Sequence, residues 1–427
     1  MITALATWRY WLCAAVALLS ASVFGAEARA GDGRPAALGW NLAATHVADA
    51  HRVTRGQGAI VAVLDSGVDV RHPRLAASIL GGADLVDGDP SGNDEHGHGT
   101  HVAGIIAARP RPGSSVLGVA PAAKIIAIRV LDEQGHGPVT QVARGVDAAL
   151  AAGAQVINLS TQQADAAAEA PAYGELTQAV ERAARAGAIV VAAAGNYNMP
   201  ACAQPLVAAR ILCVGAIDRH RRRAFYSNHA SRVTIMGPGG SPADGSAIVS
   251  TGLGGGYRRM AGTSQATPHV AGVAALLISL GLRGSEVVDR IEHSAIDLGE
   301  AGEDDVYGHG LVDAGAAVRG LRPAAPAPTA FARAPHSVRL ATLRRSGLAV
   351  SCHAARGGLC TARVLTVGGR LLAHGSRELR PGATRTVRAR LTGYGRRLVR
   401  RAALKTSLLR VSVRDAPVID QRVVVVR

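Results

Sequence analysis

Aromatic side chains are scarce in this chain of 427 residues: three Phe, three Trp and seven Tyr make up 3% of it. A core with so few rings has to be built from Ala, Val, Leu and Ile. From residue 337 onward only Tyr394 offers a platform for stacking bases, which argues against nucleic acid as a partner. Lysine is rarer still, with Lys124 and Lys405 the only two. Charged residues stop at 18% against 48% hydrophobic, which excludes a disordered polyelectrolyte. After Ala26 there is no apolar run long enough to cross a bilayer, so a soluble mature protein is expected.

Cysteine stops at five, and Cys13 lies in a stretch with its own logic. Arg9 precedes an uncharged run from Tyr10 to Ala26, followed by small-residue sites at Ala26-Glu27-Ala28 and Ala28-Arg29-Ala30. That pattern reads as a secretory signal over residues 1–30. The alternative, an uncleaved anchor, has a run at the lower limit of the roughly 17–25 residues a spanning helix needs. Export with cleavage is the expectation, to the extracellular space or a periplasm. Cys202, Cys213, Cys352 and Cys360 then remain as two local pairs, and an exported chain with that grouping suggests disulfides Cys202–Cys213 and Cys352–Cys360. Neither spacing nor nearby His supports a metal site instead.

The length allows roughly two to three domains. The formal net charge of +16 is unevenly placed: 22 basic residues against three acids from Leu321 onward give +19, leaving −3 for residues 1–320. Strand patterns at Ala59–Asp65, Lys124–Leu131, Gln155–Ser160, Ala188–Gly195 and Ile211–Ile217 alternate with helical ones such as Thr140–Ala152 and Glu175–Ala186. This is the signature of an α/β fold, a doubly wound and mainly parallel sheet covered on both faces. Working sites of such sheets sit at the carboxyl ends of the strands. A Pro/Ala-rich linker is expected over residues 321–336. Beyond it, over 337–427, the period becomes two: Val387, Ala389 and Leu391 face inward against Arg388 and Arg390, as do Leu409, Val411 and Val413 against Arg410, Ser412 and Arg414. Six or seven such strands predict a small all-β, sandwich-like domain.

Three segments carry chemistry. Val63-Leu-Asp-Ser-Gly-Val-Asp69 places Asp65 at the end of the first strand. His96-Gly-His-Gly-Thr-His-Val-Ala-Gly104 places His98 ahead of an apolar helix, and Gly262-Thr-Ser-Gln-Ala-Thr-Pro-His-Val-Ala-Gly272 places Ser264 at the start of another. A serine hydroxyl is a poor nucleophile until an imidazole takes its proton, and the imidazole needs a carboxylate to orient it and stabilise its cation. The order Asp, His, Ser is one of the known orders for that set. Each residue has a bland reading alone: Asp65 as a turn residue, Gly-Thr-Ser as a helix start. His96, His98 and His101 do not share one helix face, which argues against a metal cluster.

Together the three segments resemble those of the subtilisin-like serine proteases, or subtilases, in order and interval. The likeness runs from about Trp40 to Val318 and includes Val119-Ala-Pro121, Val156-Ile-Asn158 and Tyr307-Gly-His-Gly-Leu-Val-Asp313. It implies a secreted endopeptidase acting on proteins or peptides through an acyl-enzyme, with no cofactor in the chemistry. Asp65 would orient His98, His98 would act as base and then acid, and Ser264 would attack. Asn196, within Ala193-Ala-Gly-Asn196, would join the Ser264 N–H in stabilising the oxyanion. Ser160 and Gly195 are candidates for holding substrate backbone.

Departures from the family pattern qualify this. Gln265 stands where Met is usual and would need a polar partner. Thr161 and Gln162 replace a Leu-Gly edge, so residue preference cannot be carried over. The family's calcium loop follows the helix of the catalytic His, but here Arg109-Pro-Arg-Pro-Gly-Ser-Ser lacks carboxylate and Asn, so that site is expected to be absent. Asp84, Asp87, Asp89, Asn93, Asp94 and Glu95 carry oxygen ligands of the kind Ca²⁺ takes, but their spacing matches no ligand loop and a solvated acidic loop is expected. Between Ala30 and Asp65 there is room only for the usual entry to a catalytic domain, not for a pro-segment.

The Arg-rich face of the last domain has two readings: a salt-sensitive tether to anionic cell-surface polymer, or a solubilising surface, the latter favoured. The enzyme has a rival from another class, a non-hydrolytic subtilase scaffold tethered by that domain. It would be expected to have lost one of Asp65, His98, Ser264 or Asn196. A monomer is expected in either case.

Overall fold

The computed structural model describes residues 39–88, 91–161, 170–202, 211–230, 233–322, 330–333, 337–354, 358–366, 370–380, 383–400, 406–413 and 419–426. The expected signal, Asp89, Gln162 and most of the Pro/Ala-rich stretch lie outside them. The chain divides into two compact units between Pro323 and Ala324.

The first unit runs α1 (Trp40–Ala44), α2 (Val47–Ala50), β1 (Ile60–Asp65), β2 (Ile79–Asp84), α3 (His98–Ala107), β3 (Lys124–Arg129), α4 (Val139–Ala151), β4 (Val156–Leu159), α5 (Ala170–Arg185), β5 (Ile189–Ala193), β6 (Ile211–Ile217), β7 (Ile235–Pro238), β8 (Ile248–Thr251), β9 (Tyr257–Met260), α6 (Thr263–Ser279), α7 (Ser285–His293) and α8 (Ala314–Val318). Seven strands pair in parallel in the order β2-β3-β1-β4-β5-β6-β7. The five strands expected from sequence are all in this sheet, each within two residues at either end. The edge strands β2 and β7 and the antiparallel β8–β9 hairpin were not expected.

The period-2 alternation of each strand sorts its side chains onto two faces. Val61, Val63, Ile125 and Ala127 pack with α3 and α6, whereas Ala62, Leu64, Ile126 and Ile128 pack with α4 and α5. Residues 263–278 of α6 are all buried, so this helix is packed on every side and runs through the core. Small Ala, Val and Gly side chains make that crowding possible, which accounts for a large core with so few rings.

The second unit contains β10 (Ala330–Arg333), β11 (Ser337–Arg339), α9 (Leu340–Ser346), β12 (Leu348–Ala354), β13 (Gly358–Leu365), β14 (Leu371–Leu379), β15 (Ala383–Leu391), α10 (Gly393–Arg400), β16 (Thr406–Val413) and β17 (Ile419–Val426). Its strands follow the order β10-β12-β15-β14-β13-β16-β17-β11, eight where six or seven were expected. Only two residue pairs join β14 to β15, so the order turns a corner there. Leu348, Val350 and Val387 on one side of that corner share a core with Ala362, Val364 and Leu372 on the other. Val387 and Ala389 are buried between exposed Arg388 and Arg390, as the alternation predicts. The side chains of β16, including Leu409, Val411 and Val413, lie outside the described set.

Candidate active site

Three neighbouring strands end on one edge and deliver three of the candidate residues. Asp65 is the last residue of β1, Ser160 follows β4, and Asn196 lies three residues past β5. β4 lies between β1 and β5 in the sheet, so the three strand ends stand side by side at the usual spacing of about 4.8 Å. The N-termini of α3 and α6 bring His98 and Ser264 into the same region.

Asp65 is fully buried, and the His98 Nδ1–H donates to its Oδ1 at 2.7 Å. The same oxygen accepts from the Ser66 N–H at 2.8 Å. Burial opposes the imidazolium of His98, but attraction to the Asp65 carboxylate and the hydrogen bond between them prevail, and its pKa is raised above 6.5. Close approach of α3 to β1 depends on Gly99: a Cβ there would sit 2.0 Å from the Gly67 carbonyl oxygen and 3.0 Å from the Asp65 Cβ. Gly104 does the same against β8, where a Cβ would meet the Thr251 Oγ1 at 2.0 Å. The two glycines of His98-Gly-Thr-His-Val-Ala-Gly104 are thus contact faces.

The start of α3 is held by a residue that the sequence reading treated as part of a solvated loop. Asp94 is 4% exposed. Its Oδ1 accepts from Ser66 Oγ at 2.8 Å, His96 N at 3.0 Å and Gly97 N at 2.8 Å, and its Oδ2 from Thr100 N at 2.9 Å and Thr100 Oγ1 at 2.6 Å. Gly97, at the cap position, has no side chain to offer, so Asp94 takes the Thr100 N–H of the first turn in its place, and Ser66 Oγ takes that of Gly99. Asp84, Asp87 and Glu95 are likewise engaged, all three by buried Arg129 at 2.6–2.9 Å. The expectation of a solvated acidic loop is therefore corrected: Asp84 and Asp94 are buried, while Asp87 and Glu95 are exposed at one end of an ion-pair cluster. Among the described residues no three His, Cys, Asp or Glu side chains gather as a metal site.

Ser264 occupies the first turn of α6, where its N–H is among those left without an intrahelical acceptor. Its Oγ donates to the Ser160 carbonyl at 3.0 Å, and the Ser160 Oγ donates back to the Ser264 carbonyl at 3.1 Å. Asn158 Nδ2 in turn donates to Ser160 Oγ at 2.9 Å. Asn196 is oriented by Thr263, whose N–H and Oγ1–H both donate to Asn196 Oδ1 at 2.9 Å. This fixes the carboxamide with its oxygen toward the helix and its NH₂ turned away. Gly195 has its N–H donated to Thr263 Oγ1 and its carbonyl accepting from Asn228 N, so it seats Asn196 from both sides. Thr263 was not singled out from sequence, although it lies inside the Gly-Thr-Ser motif.

Gln265 is buried behind Ser264, and among the described residues its Nε2 has no hydrogen-bond partner of the kind a polar residue there calls for. Thr161 is buried at the mouth of β4. Cys202–Cys213 and Cys352–Cys360 are both bonded, one in each unit. No described helix is long and apolar enough to cross a membrane.

Residues 56–310 match the family model described as the Subtilase family. Curated relatives include the thermophilic serine proteinase of Bacillus sp. (strain AK1), 40% identical over 60% of this chain and 61% of its own length. Thermitase of Thermoactinomyces vulgaris is 39% identical over 62% of this chain and 91% of its own. Subtilisin Savinase of Lederbergia lenta is 40% identical over 66% of this chain and 98% of its own.

Proposed function

The chain belongs to the subtilase family of serine endopeptidases, and from that premise we propose that it is exported and cleaves peptide bonds through Asp65, His98 and Ser264. The observation that carries this reading is the 2.7 Å bond from buried Asp65 to His98 at the strand edge where Ser264 heads its helix. A rotation about χ1 moves the Ser264 hydroxyl from the Ser160 carbonyl toward His98. As Ser264 Oγ attacks the scissile carbon, His98 takes its proton and Asp65 stabilises the imidazolium. The carbonyl oxygen becomes an oxyanion that accepts from Asn196 Nδ2 and the Ser264 N–H, both oriented beforehand by the start of α6. His98 gives its proton to the departing amine, and water attacks the acyl-ester with His98 again as base. The Ser160 carbonyl, released by Ser264, becomes an acceptor for substrate backbone N–H, and Gly195 holds the opposite wall through Asn196. The non-hydrolytic scaffold is not favoured, since none of the four residues has been lost.

The test is labelling of the purified protein by a serine-directed fluorophosphonate beside Ser264→Ala. Labelling of the parent alone supports an activated Ser264. A folded parent that stays unlabelled would sink the reading. Export is tested separately, by sequencing the N-terminus of protein collected outside the cytoplasm: a start at Arg29 or Gly31 is expected.

A further inference from the structure

Arg74, in the turn between β1 and β2, is the largest fully buried side chain among the described residues, at 2% exposure. A buried guanidinium is ordinarily paired with a carboxylate, because an unpaired charge is costly to take out of water. No carboxylate of the described residues pairs with Arg74. Four neutral oxygens surround it instead. The Nε–H donates to the Arg109 carbonyl at 2.5 Å, Nη1 donates to Ser114 Oγ and Tyr257 Oη at 2.8 Å each, and Nη2 donates to the Val116 carbonyl. Three of the four belong to the stretch 109–116, which follows α3. The Arg109 N–H also donates to the Arg74 carbonyl at 3.0 Å, closing the contact.

Two carbonyls and two hydroxyls around one positive centre are the donor set of a hard cation site. The subtilase resemblance places a calcium loop in this segment. The residues here do not fit calcium: the stretch has no carboxylate, and a guanidinium already takes the oxygens that would face the metal. We infer that Arg74 is a built-in cation that orders residues 109–116 in place of a divalent metal, so that this part of the molecule is ordered without calcium. Only Arg serves, since its planar fork meets acceptors in several directions whereas an ammonium is a compact point charge. The same side chain ties the segment after α3 to the β8–β9 hairpin. The oxygens at 109, 114 and 116 lie beyond the C-terminus of α3, while Tyr257 belongs to the hairpin, whose Leu253 packs on Gly97 at the N-terminus of α3.

The test is backbone hydrogen exchange across residues 109–117 in a Ser264→Ala background, which removes self-digestion, measured with millimolar calcium and with EDTA. Superimposable exchange is expected while Arg74 is present. In Arg74→Asp, exchange in EDTA is expected to be faster by about tenfold or more, from loss of charge-assisted bonds. Calcium is expected to restore it, because a carboxylate now joins the oxygen shell. Calcium slowing exchange in the Arg74 protein would overturn the inference, and so would an Arg74→Asp loop as protected in EDTA as the parent. An Arg74→Asp loop that stays loose with calcium would overturn the reading of the oxygens as a cation shell. Should that variant fail to fold, the calcium comparison on the Arg74 protein still decides.

Discussion

At the scale of the residue, His98 is pulled in two directions. Burial disfavours its cation, while Asp65, and Asp94 behind it, favour the cation and prevail. Only neutral imidazole can take the Ser264 proton, so the acidic limb of kcat/KM is expected above pH 6.5. Asp65→Asn is expected to move that limb down and lower kcat by about 10⁴, read from pH profiles of peptide hydrolysis. In stability the same pair acts with the opposite sign: its contribution is present below pH 6.5 and fades as pH rises through the raised value. Asn196 makes a separate prediction. Asn196→Leu is expected to lower kcat by about 10²–10³, a magnitude established on a subtilisin itself, with little change in KM. An equal loss in KM would place Asn196 in substrate binding instead. The motifs put forward Asp65, His98 and Ser264 as the proposed triad by residue type and order. Thr263, which turns the Asn196 amide, was hidden because its two bonds span 67 positions.

At the scale of the element, the position of α3 decides whether the pair forms. Its glycines were legible in the sequence as a motif, but their reason is contact with Gly67 and Thr251, which no local pattern contains. Asp94 is the clearest miss. Read locally it is one of several acids in a polar loop; in the fold it gathers five donors at the helix start. Asp94→Asn keeps the shape but turns an NH₂ toward some of those donors, an expected cost of about 1–3 kcal/mol in chemical unfolding. Because the Asp94 charge raises the pKa of His98, the same variant is expected to shift the acidic limb of activity downward. A purely structural role would leave that limb in place. Strand interiors, by contrast, were readable almost to the residue, since burial on both faces leaves uninterrupted runs such as Ile211–Ile217.

At the scale of the whole molecule, two buried histidines set the response to acid. His101 is pushed down to about 3, by burial first, with its Nε2–H shared between the Ile248 and Arg258 carbonyls. His269, within α6, is pushed down to about 4 by burial, with its Nδ1–H donated to the Gln265 carbonyl and its Nε2 accepting from Asn41. Both stay neutral in the folded chain while the unfolded chain protonates below 6.5. Stability is therefore full above that value and falls as pH drops toward 4, by up to about 1.4 kcal/mol per pH unit for each histidine. Denaturant midpoints of the Ser264→Ala protein between pH 7 and 4 measure this. A His269→Gln variant with an unchanged slope would show that His269 is not a source.

What the sequence determined by itself is whatever repeats or coincides along the chain. Period-2 and helical patterns specified a wound sheet and a β unit after it, paired cysteines specified both disulfides, and three motifs in order specified the family. Only the tertiary structure decided which polar groups meet. Arg74 finds Tyr257 across 183 positions, and Ser264 meets Ser160 across 104. Such pairings carry no local period. They follow from the need of each buried charge or donor for a partner, and the partner is whichever residue the packing of apolar faces brings within reach.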